Sequence, residues 1–229
     1  MIELSDYELR LLALTVRQES RVAASAVLAL AQELVAIPDR VSEELLGHIR
    51  LQWWRDQIEQ GRASESPILP DLLTLINSQP QIQPQIMAII DGFAGWLSLA
   101  KNLAEQQPPP HITSIACESF GRVFALLVQL QTTPAIPPEI AAEVGRDFAL
   151  ARMISSDQIP RSQLAVTAIQ TIAATLHSNQ SARRRSKTLP AAEVMIARRL
   201  KRLRRADYDR FAARLQRPDR LLPLLLLCR

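Results

Sequence analysis

Fifteen prolines divide this chain of 229 residues into segments of about the length of a helix. Proline ends or interrupts a helix because it lacks the backbone N–H and its ring clashes with the preceding turn. Between the prolines, apolar residues recur at helical spacing, and no alternating run bounded by hairpin turns predicts a strand. The predicted helices lie near residues 5–18, 20–36, 43–60, 70–78, 84–105, 112–131, 138–155, 161–182 and 190–206.

We predict one helical domain followed by a short tail. A chain with 48% apolar residues can bury one sizeable core, and nothing in its composition requires a second domain. The segment 84–105 is apolar around most of its circumference, so we expect it at the centre of the bundle. We expect the domain to span residues 1–206 and a basic, leucine-rich tail, residues 207–229, to pack on the domain or on a partner. The predicted fold class is all-α, a single helical bundle.

The helix predicted near residues 43–60 carries two of the chain's three tryptophans. Its apolar residues recur at roughly helical spacing and predict one apolar face, formed by Leu45, Ile49, Trp53 and Ile58. Adjacent side chains point about 100° apart on a helix, so one ring can fill the core while the other closes a pocket. We expect Trp53 in the core and Trp54 at a cavity mouth or a partner surface. The candidate cavity or core residues are Arg50, Trp53 and Trp54.

The amino-acid sequence of residues 40–56 resembles the squalene/phytoene synthase family. In that family a helix of the form V-[SD]-E-x-x-x-G-x-x-R-x-x-W-W-R follows the first aspartate-rich motif. Similarity continues along the chain at residues 7–14, 21–28, 90–92, 119–121, 197–211 and 214–218. It is specific near residues 38–56 and 197–218 and looser between them. The resemblance implies a helical bundle of the isoprenoid synthase type, with the helices arranged around a central cavity.

The same resemblance places the family's metal-binding motifs where this chain lacks most of the carboxylates. In active members two aspartate-rich motifs face each other across the cavity and hold magnesium ions that bridge a prenyl diphosphate. The first motif falls on residues 38–42 and the second near residues 157–161, where Pro160 interrupts the helix. The degenerate positions are Asp39, Ser42, Glu43, Asp157 and Arg161. We therefore expect no metal or other cofactor, and magnesium only if the chain is an active enzyme.

Residues 42–44 also have the composition of a helix N-terminus. A serine hydroxyl can cap the first backbone N–H groups, and acidic residues in the first turn are favoured by the helix dipole. We expect capping, with Ser42 at the cap position, to be the main role of this cluster.

Charge is distributed unevenly along the chain. Residues 181–229 hold 15 basic and four acidic residues, a net charge of +11, so the total of +4 leaves −7 for residues 1–180. The candidate anion-binding or membrane patch comprises Arg198, Arg199, Lys201, Arg202, Arg204 and Arg205. Such a segment favours a polyanionic partner: an anionic membrane surface, an acidic protein face or nucleic acid. The leucine-rich residues 221–227 are too few to span a bilayer.

The resemblance is strongest to the family's non-catalytic branch, whose members include an assembly factor of mitochondrial complex I. It implies an inactive, membrane-associated protein that assembles or stabilises a respiratory complex, with a protein of that complex as partner and an isoprenoid or lipid as a candidate cavity ligand. We expect a bacterial cytoplasmic location peripheral to the inner membrane, or the matrix side in mitochondria. The alternative is an active prenyltransferase that joins two prenyl diphosphates head to head. Nucleic-acid binding ranks lowest, because no known RNA- or DNA-binding module is recognised.

Overall fold

The computed structural model describes residues 6–63, 66–98, 109–131 and 136–153. All the long elements of these residues are helices. In chain order they are α1 (Tyr7–Thr15), α2 (Arg21–Val35), α3 (Ile37–Arg40), α4 (Glu44–Glu59), α5 (Leu69–Ser78), α6 (Gln83–Gly92), α7 (Ala94–Leu97), α8 (Pro109–Ala116), a π-helix (Cys117–Gly121), α9 (Arg122–Gln129) and α10 (Pro138–Met153). Short 3₁₀ turns lie at Gln18–Ser20 and Pro80–Ile82, and no strand occurs among the described residues. The predicted all-α class is confirmed.

Local sequence signals set where these helices begin. The Asp6 carboxylate caps α1 by accepting hydrogen bonds from the backbone N–H groups of Glu8 and Leu9, at 3.0 and 3.1 Å. Helices α5 and α6 each carry a proline, Pro70 and Pro84, within their first two positions, where a missing N–H costs no intrahelical bond. The prolines therefore mark the helix starts, as the sequence predicts.

The predicted central helix over residues 84–105 is not continuous. Helix α6 ends at Gly92, Phe93 forms a turn, and α7 covers only Ala94–Leu97. Glycine is a poor helix former. Only glycine fits at position 92, because a Cβ there would lie 1.9 Å from the carbonyl oxygen of Glu118. The break thus falls where α6 crosses the π-helix at backbone contact, and the remainder of the predicted helix lies outside the described residues beyond Ser98.

A group of five aromatic rings fills the space between α6, α7, the π-helix, α9 and α10. They are Phe93, Trp96, Phe120, Phe124 and Phe148, all buried. Neighbouring ring centroids lie 5.3–5.9 Å apart, and three of the contacts are edge-to-face, the favourable geometry for aromatic pairs. Phe93 and Trp96 place the described part of the predicted central segment, residues 84–98, against this aromatic core.

The stretch Ile112–Gln129 is the one helical segment of the described residues that is long and apolar enough to cross a membrane by length and composition. It is mostly buried among the other helices and contains the π-helix, in which Ser119 Oγ donates to the carbonyl oxygen of Ile115 at 2.6 Å. A Cβ on Gly145 of α10 would lie 2.2 Å from the carbonyl oxygen of Phe120, so α10 also meets this segment at backbone contact. These contacts are those of a core helix of the bundle.

Candidate functional site at the start of the Trp-Trp-Arg helix

The backbone breaks inside the segment that aligns with the first metal-binding motif, residues 38–42. Helix α3 ends at Arg40, and Val41 is extended, with φ −123° and ψ 142°. Carboxylates four residues apart share a face only when one helix carries both, so positions 38 and 42 cannot present ligands as the family's motif does. Asp39 is exposed and is the one aspartate of this segment. In the part of the chain described, no three His, Cys, Asp or Glu side chains are grouped so that they could hold a metal ion, and the first motif does not fit a magnesium site.

The N-terminus of α4 is capped differently from the prediction. The helix begins at Glu44, so Glu43 occupies the cap position, and its side chain makes no capping hydrogen bond. Ser42 lies one residue further out and is exposed, and the prediction that it caps the helix is wrong. Glu44 lies in the first turn, where the helix dipole favours an acid, with His48 Nε2 3.8 Å from its carboxylate.

The buried face of α4 is not the one that we predicted. Its buried positions are Gly47, Leu51, Trp54, Gln57 and Ile58. Leu45 and Ile49 are instead 66% and 57% exposed. A Cβ at Gly47 would lie 2.6 Å from the side chain of Leu97, so close approach to α7 turns this face inward. Of the four residues predicted to form one face, only Ile58 is fully buried.

The two tryptophans exchange their predicted roles. Trp54 is 4% exposed and belongs to the core, whereas Trp53 is half-buried at its edge. Their ring centroids lie 5.0 Å apart at an interplanar angle of 78°, an edge-to-face pair. Arg50, predicted with them as a cavity or core residue, is exposed. The spacing of Gly47, Leu51 and Ile58 along the helix is the signal that would have identified the correct face.

An ion pair that we did not predict from the sequence joins two of the segments that resemble the family, residues 40–56 and 90–92. The guanidinium of Arg55, the arginine of the Trp-Trp-Arg motif, pairs with the carboxylate of Asp91 near the end of α6. The hydrogen bond that the Arg55 guanidinium donates to the Asp91 carboxylate, together with the charge of that carboxylate, raises the pKa of Arg55 above its ordinary value. Both side chains are partly exposed, so the pair orients α4 against α6 and contributes little stability by itself.

A second unpredicted cluster joins the two ends of the described chain. Arg152 of α10 donates to the carboxylates of Asp6 at 2.7 Å and Glu8 at 3.4 Å, and its guanidinium lies 5.7 Å from the centroids of the Phe120 and Phe148 rings. Burial alone would raise the pKa of Asp6, but the charge of Arg152 and its hydrogen bonds hold that pKa below the ordinary value. Burial likewise disfavours the charged guanidinium, yet the two carboxylates raise the pKa of Arg152.

Several predicted site residues lie outside the described residues. They are Asp157 and Arg161 of the second motif and the basic residues Arg198, Arg199, Lys201, Arg202, Arg204 and Arg205. The domain boundary at residue 206 and the tail lie there as well. These assignments stay predictions.

Comparison with known proteins supports the family resemblance. Residues 2–106 match the family model described as squalene/phytoene synthase. Two relatives, both named NADH dehydrogenase (ubiquinone) complex I, assembly factor 6, come from Bos taurus and Homo sapiens. Each is 24% identical over 256 aligned positions, which cover 96% of this chain and 77% of the relative. No solved structure gives a significant match. The predicted resemblance to this family, and to relatives named as assembly factors, is confirmed.

Proposed function

We propose that this chain is a non-catalytic squalene/phytoene synthase-like protein that assists the assembly or stability of a respiratory complex of the complex I type. One observation carries the proposal: α3 ends at Arg40, so the segment aligned with the first metal-binding motif keeps a single aspartate, Asp39, and lacks the continuous helix that the motif requires. The names of the two relatives supply the proposed assembly role.

The packing of the bundle also supports a structural function. Five buried rings fill the space between α6, α7, the π-helix, α9 and α10, and glycines let the backbones touch at Gly92 and Gly145. Such dense packing favours a rigid scaffold that presents its surface to partners. Prenyl coupling would instead need metal ions to neutralise the departing diphosphate next to an apolar cavity.

The first test is an incubation of the full chain with magnesium and farnesyl or geranylgeranyl diphosphate, with an active synthase of the family as the positive control. We expect neither diphosphate release nor a coupled hydrocarbon. Magnesium should also leave the melting temperature unchanged, because a ligand stabilises the folded state only if it binds there. Turnover at the rate of the positive control would contradict the non-catalytic assignment and favour the prenyltransferase alternative.

The second test examines the assembly role separately from catalysis. In cells lacking the gene we expect less assembled complex I on native gels and lower NADH:quinone oxidoreductase activity, and the wild-type gene should restore both. Asp39→Asn should restore them equally well, because the exposed Asp39 carboxylate has no metal-binding role in this proposal. Normal complex I levels without the gene would contradict the assembly role, whatever the outcome of the enzyme assay.

We also propose that the protein attaches peripherally to anionic membranes. This proposal rests on the +11 charge of residues 181–229. Each basic residue near an anionic surface contributes on the order of 1 kcal/mol, so a few suffice for reversible binding. Sedimentation with phosphatidylserine vesicles should fall as salt rises and should be lost in a variant with glutamine at Arg198, Arg199, Arg202 and Arg205. Deleting residues 219–229 measures the contribution of the tail. Failure of the wild type to sediment at low salt would contradict membrane attachment.

A further inference from the structure

Helix α4 exposes a stripe of large apolar side chains along the first half of its outer surface. Leu45, Leu46 and Ile49 are 66%, 45% and 57% exposed, and the half-buried Trp53 continues the row by one turn. These four residues, here called the α4 stripe, cover about 100° of the helix circumference, the width of the apolar face of a packed helix. A contiguous apolar row on the surface marks a site where something docks.

Two charged residues border the α4 stripe on one side. Glu43 and Arg50 are both exposed and lie seven residues, or about two helical turns, apart, so they follow each other along the same flank. Neither forms an ion pair or a side-chain hydrogen bond within the described residues. On the opposite flank the polar side chains have partners within the helix: His48 contacts Glu44, and Gln52 donates to Asp56 at 2.7 Å.

Glu43 and Arg50 of one α4 helix can pair with Arg50 and Glu43 of a second copy of the same helix. When two copies of one helix pack antiparallel about a two-fold axis, each flank faces the same flank of the other copy, in the reverse direction. The Glu43 carboxylate of one copy then lies opposite the Arg50 guanidinium of the second, and the pair occurs twice. The stripe residues Leu46 and Ile49 meet across the axis, as apolar seam residues do in paired helices.

We propose that the α4 stripe is a homodimer interface, in which α4 packs antiparallel on α4 of a second copy of this chain. The inference is independent of the assembly role proposed above. An anionic membrane is a poorer occupant of this stripe, because residues 1–180 carry a net charge of −7 and Glu43 and Glu44 stand at the start of the helix. One helix per copy buries less than the roughly 800 Å² per partner of a standard stable interface, so the dimer is reversible and depends on concentration.

Analytical ultracentrifugation of the full chain tests the proposal. Protein concentrations from about 1 to 200 µM cover weak to moderate self-association. The weight-average mass should rise from 25.6 kDa towards twice that value as concentration increases. Ile49→Glu should abolish the rise, because it places two carboxylates in the apolar seam. The matched control is Val22→Glu on α2, a residue 65% exposed and away from the α4 stripe, which should associate like the wild type.

A charge exchange tests the orientation of the two helices. Arg50→Glu and Glu43→Arg, each made alone, replace attraction by repulsion at both symmetric contacts and should weaken the dimer about tenfold. The double variant restores opposite charges and should return the dissociation constant to within about threefold of the wild-type value. Because all these positions are exposed, thermal melts should confirm that the variants fold.

Three outcomes would overturn the proposal. The wild type could remain a monomer over the whole range, the dimer could survive Ile49→Glu, or the double charge variant could fail to recover. A wild type that stays monomeric but loses vesicle binding on Ile49→Glu would assign the α4 stripe to a membrane surface instead. None of these outcomes bears on complex I levels or on prenyl coupling, so the assembly role and the non-catalytic assignment are tested separately.

Discussion

Arg152→Met removes the cation that holds the first and last described helices together. The Arg152 side chain is 17% exposed and is the shared partner of Asp6 and Glu8, whose side chains are 20% and 17% exposed. Methionine keeps an unbranched apolar chain over the Phe120 and Phe148 rings. It removes the cation that acts on the largely buried Asp6 carboxylate, and it removes one hydrogen-bond donor from Glu8. Breaking a buried pair in this way costs about 3–5 kcal/mol, and a domain is stable by only about 5–15 kcal/mol. Urea denaturation at neutral pH should therefore show a much lower midpoint for the variant.

The difference between wild type and variant should shrink as pH falls. In the wild type the pKa of Asp6 lies below the ordinary value of 3.8, so its ionised form stabilises the folded state above that pH, and this contribution is lost as pH falls through the folded-state pKa. In the variant, burial without the cation should raise the pKa of Asp6, so protonation relieves the penalty there first. Denaturation at neutral pH and near pH 4 measures the relief in the variant, and a series continued below pH 3.8 measures the loss in the wild type.

A double-mutant cycle with Asp6→Asn isolates the ion pair from the helix cap. Asparagine can still accept the hydrogen bonds from the Glu8 and Leu9 N–H groups, so the cap of α1 is retained while the charge is removed. Arg152→Met should cost less in the Asp6→Asn background, by about 0.5–3 kcal/mol. A cost of Arg152→Met below about 0.5 kcal/mol at neutral pH, or one independent of both pH and Asp6, would refute the reasoning.

Urea denaturation also tests two substitution pairs. Trp54→Ala should cost about 3–5 kcal/mol because its ring is in the core, and Trp53→Ala only about 1–2 kcal/mol because its ring is half-exposed; equal costs would contradict the assigned burial. Gly92→Ala should cost about 3 kcal/mol or more, because its Cβ would meet the Glu118 backbone. Gly47→Ala should stay within about 1 kcal/mol of wild type, because the obstructing group is the flexible end of Leu97 and alanine favours the helix. A destabilisation by Gly47→Ala as large as that by Gly92→Ala would contradict this distinction.

Helix positions could be predicted because their signals are local. The sequence predicted a helix over residues 43–60, and α4 spans Glu44–Glu59. Prolines and helical spacing act within a few residues of the positions that they determine. The break after Gly92 was missed, because the carbonyl group that approaches this glycine belongs to Glu118, which is distant in sequence.

The inward face of α4 and the ion pairs could not be predicted in the same way. Leu45 and Ile49 are as apolar as core residues, and sequence alone does not reveal that they are exposed. Asp6 and Arg152 are 146 residues apart, and charged residues are too common for such a pair to be identified from one sequence. The candidate metal motif was predictable only in part: sequence showed the lost carboxylates, and the structure added the end of α3 at Arg40.

The extended backbone at Val41 limits how any metal-binding capacity at this segment could be regained during evolution. Aspartates at positions 38 and 42 are two point substitutions, but they would stand on either side of a helix end and point in unrelated directions. Recovery would also require residues 41–43 to become helical and join α3 to α4, which would change the direction in which α3 enters the bundle. A carboxylate gained at position 38 or 42 therefore restores no ligand pair while Val41 stays extended. The backbone of this segment has to change before such substitutions can rebuild a metal site.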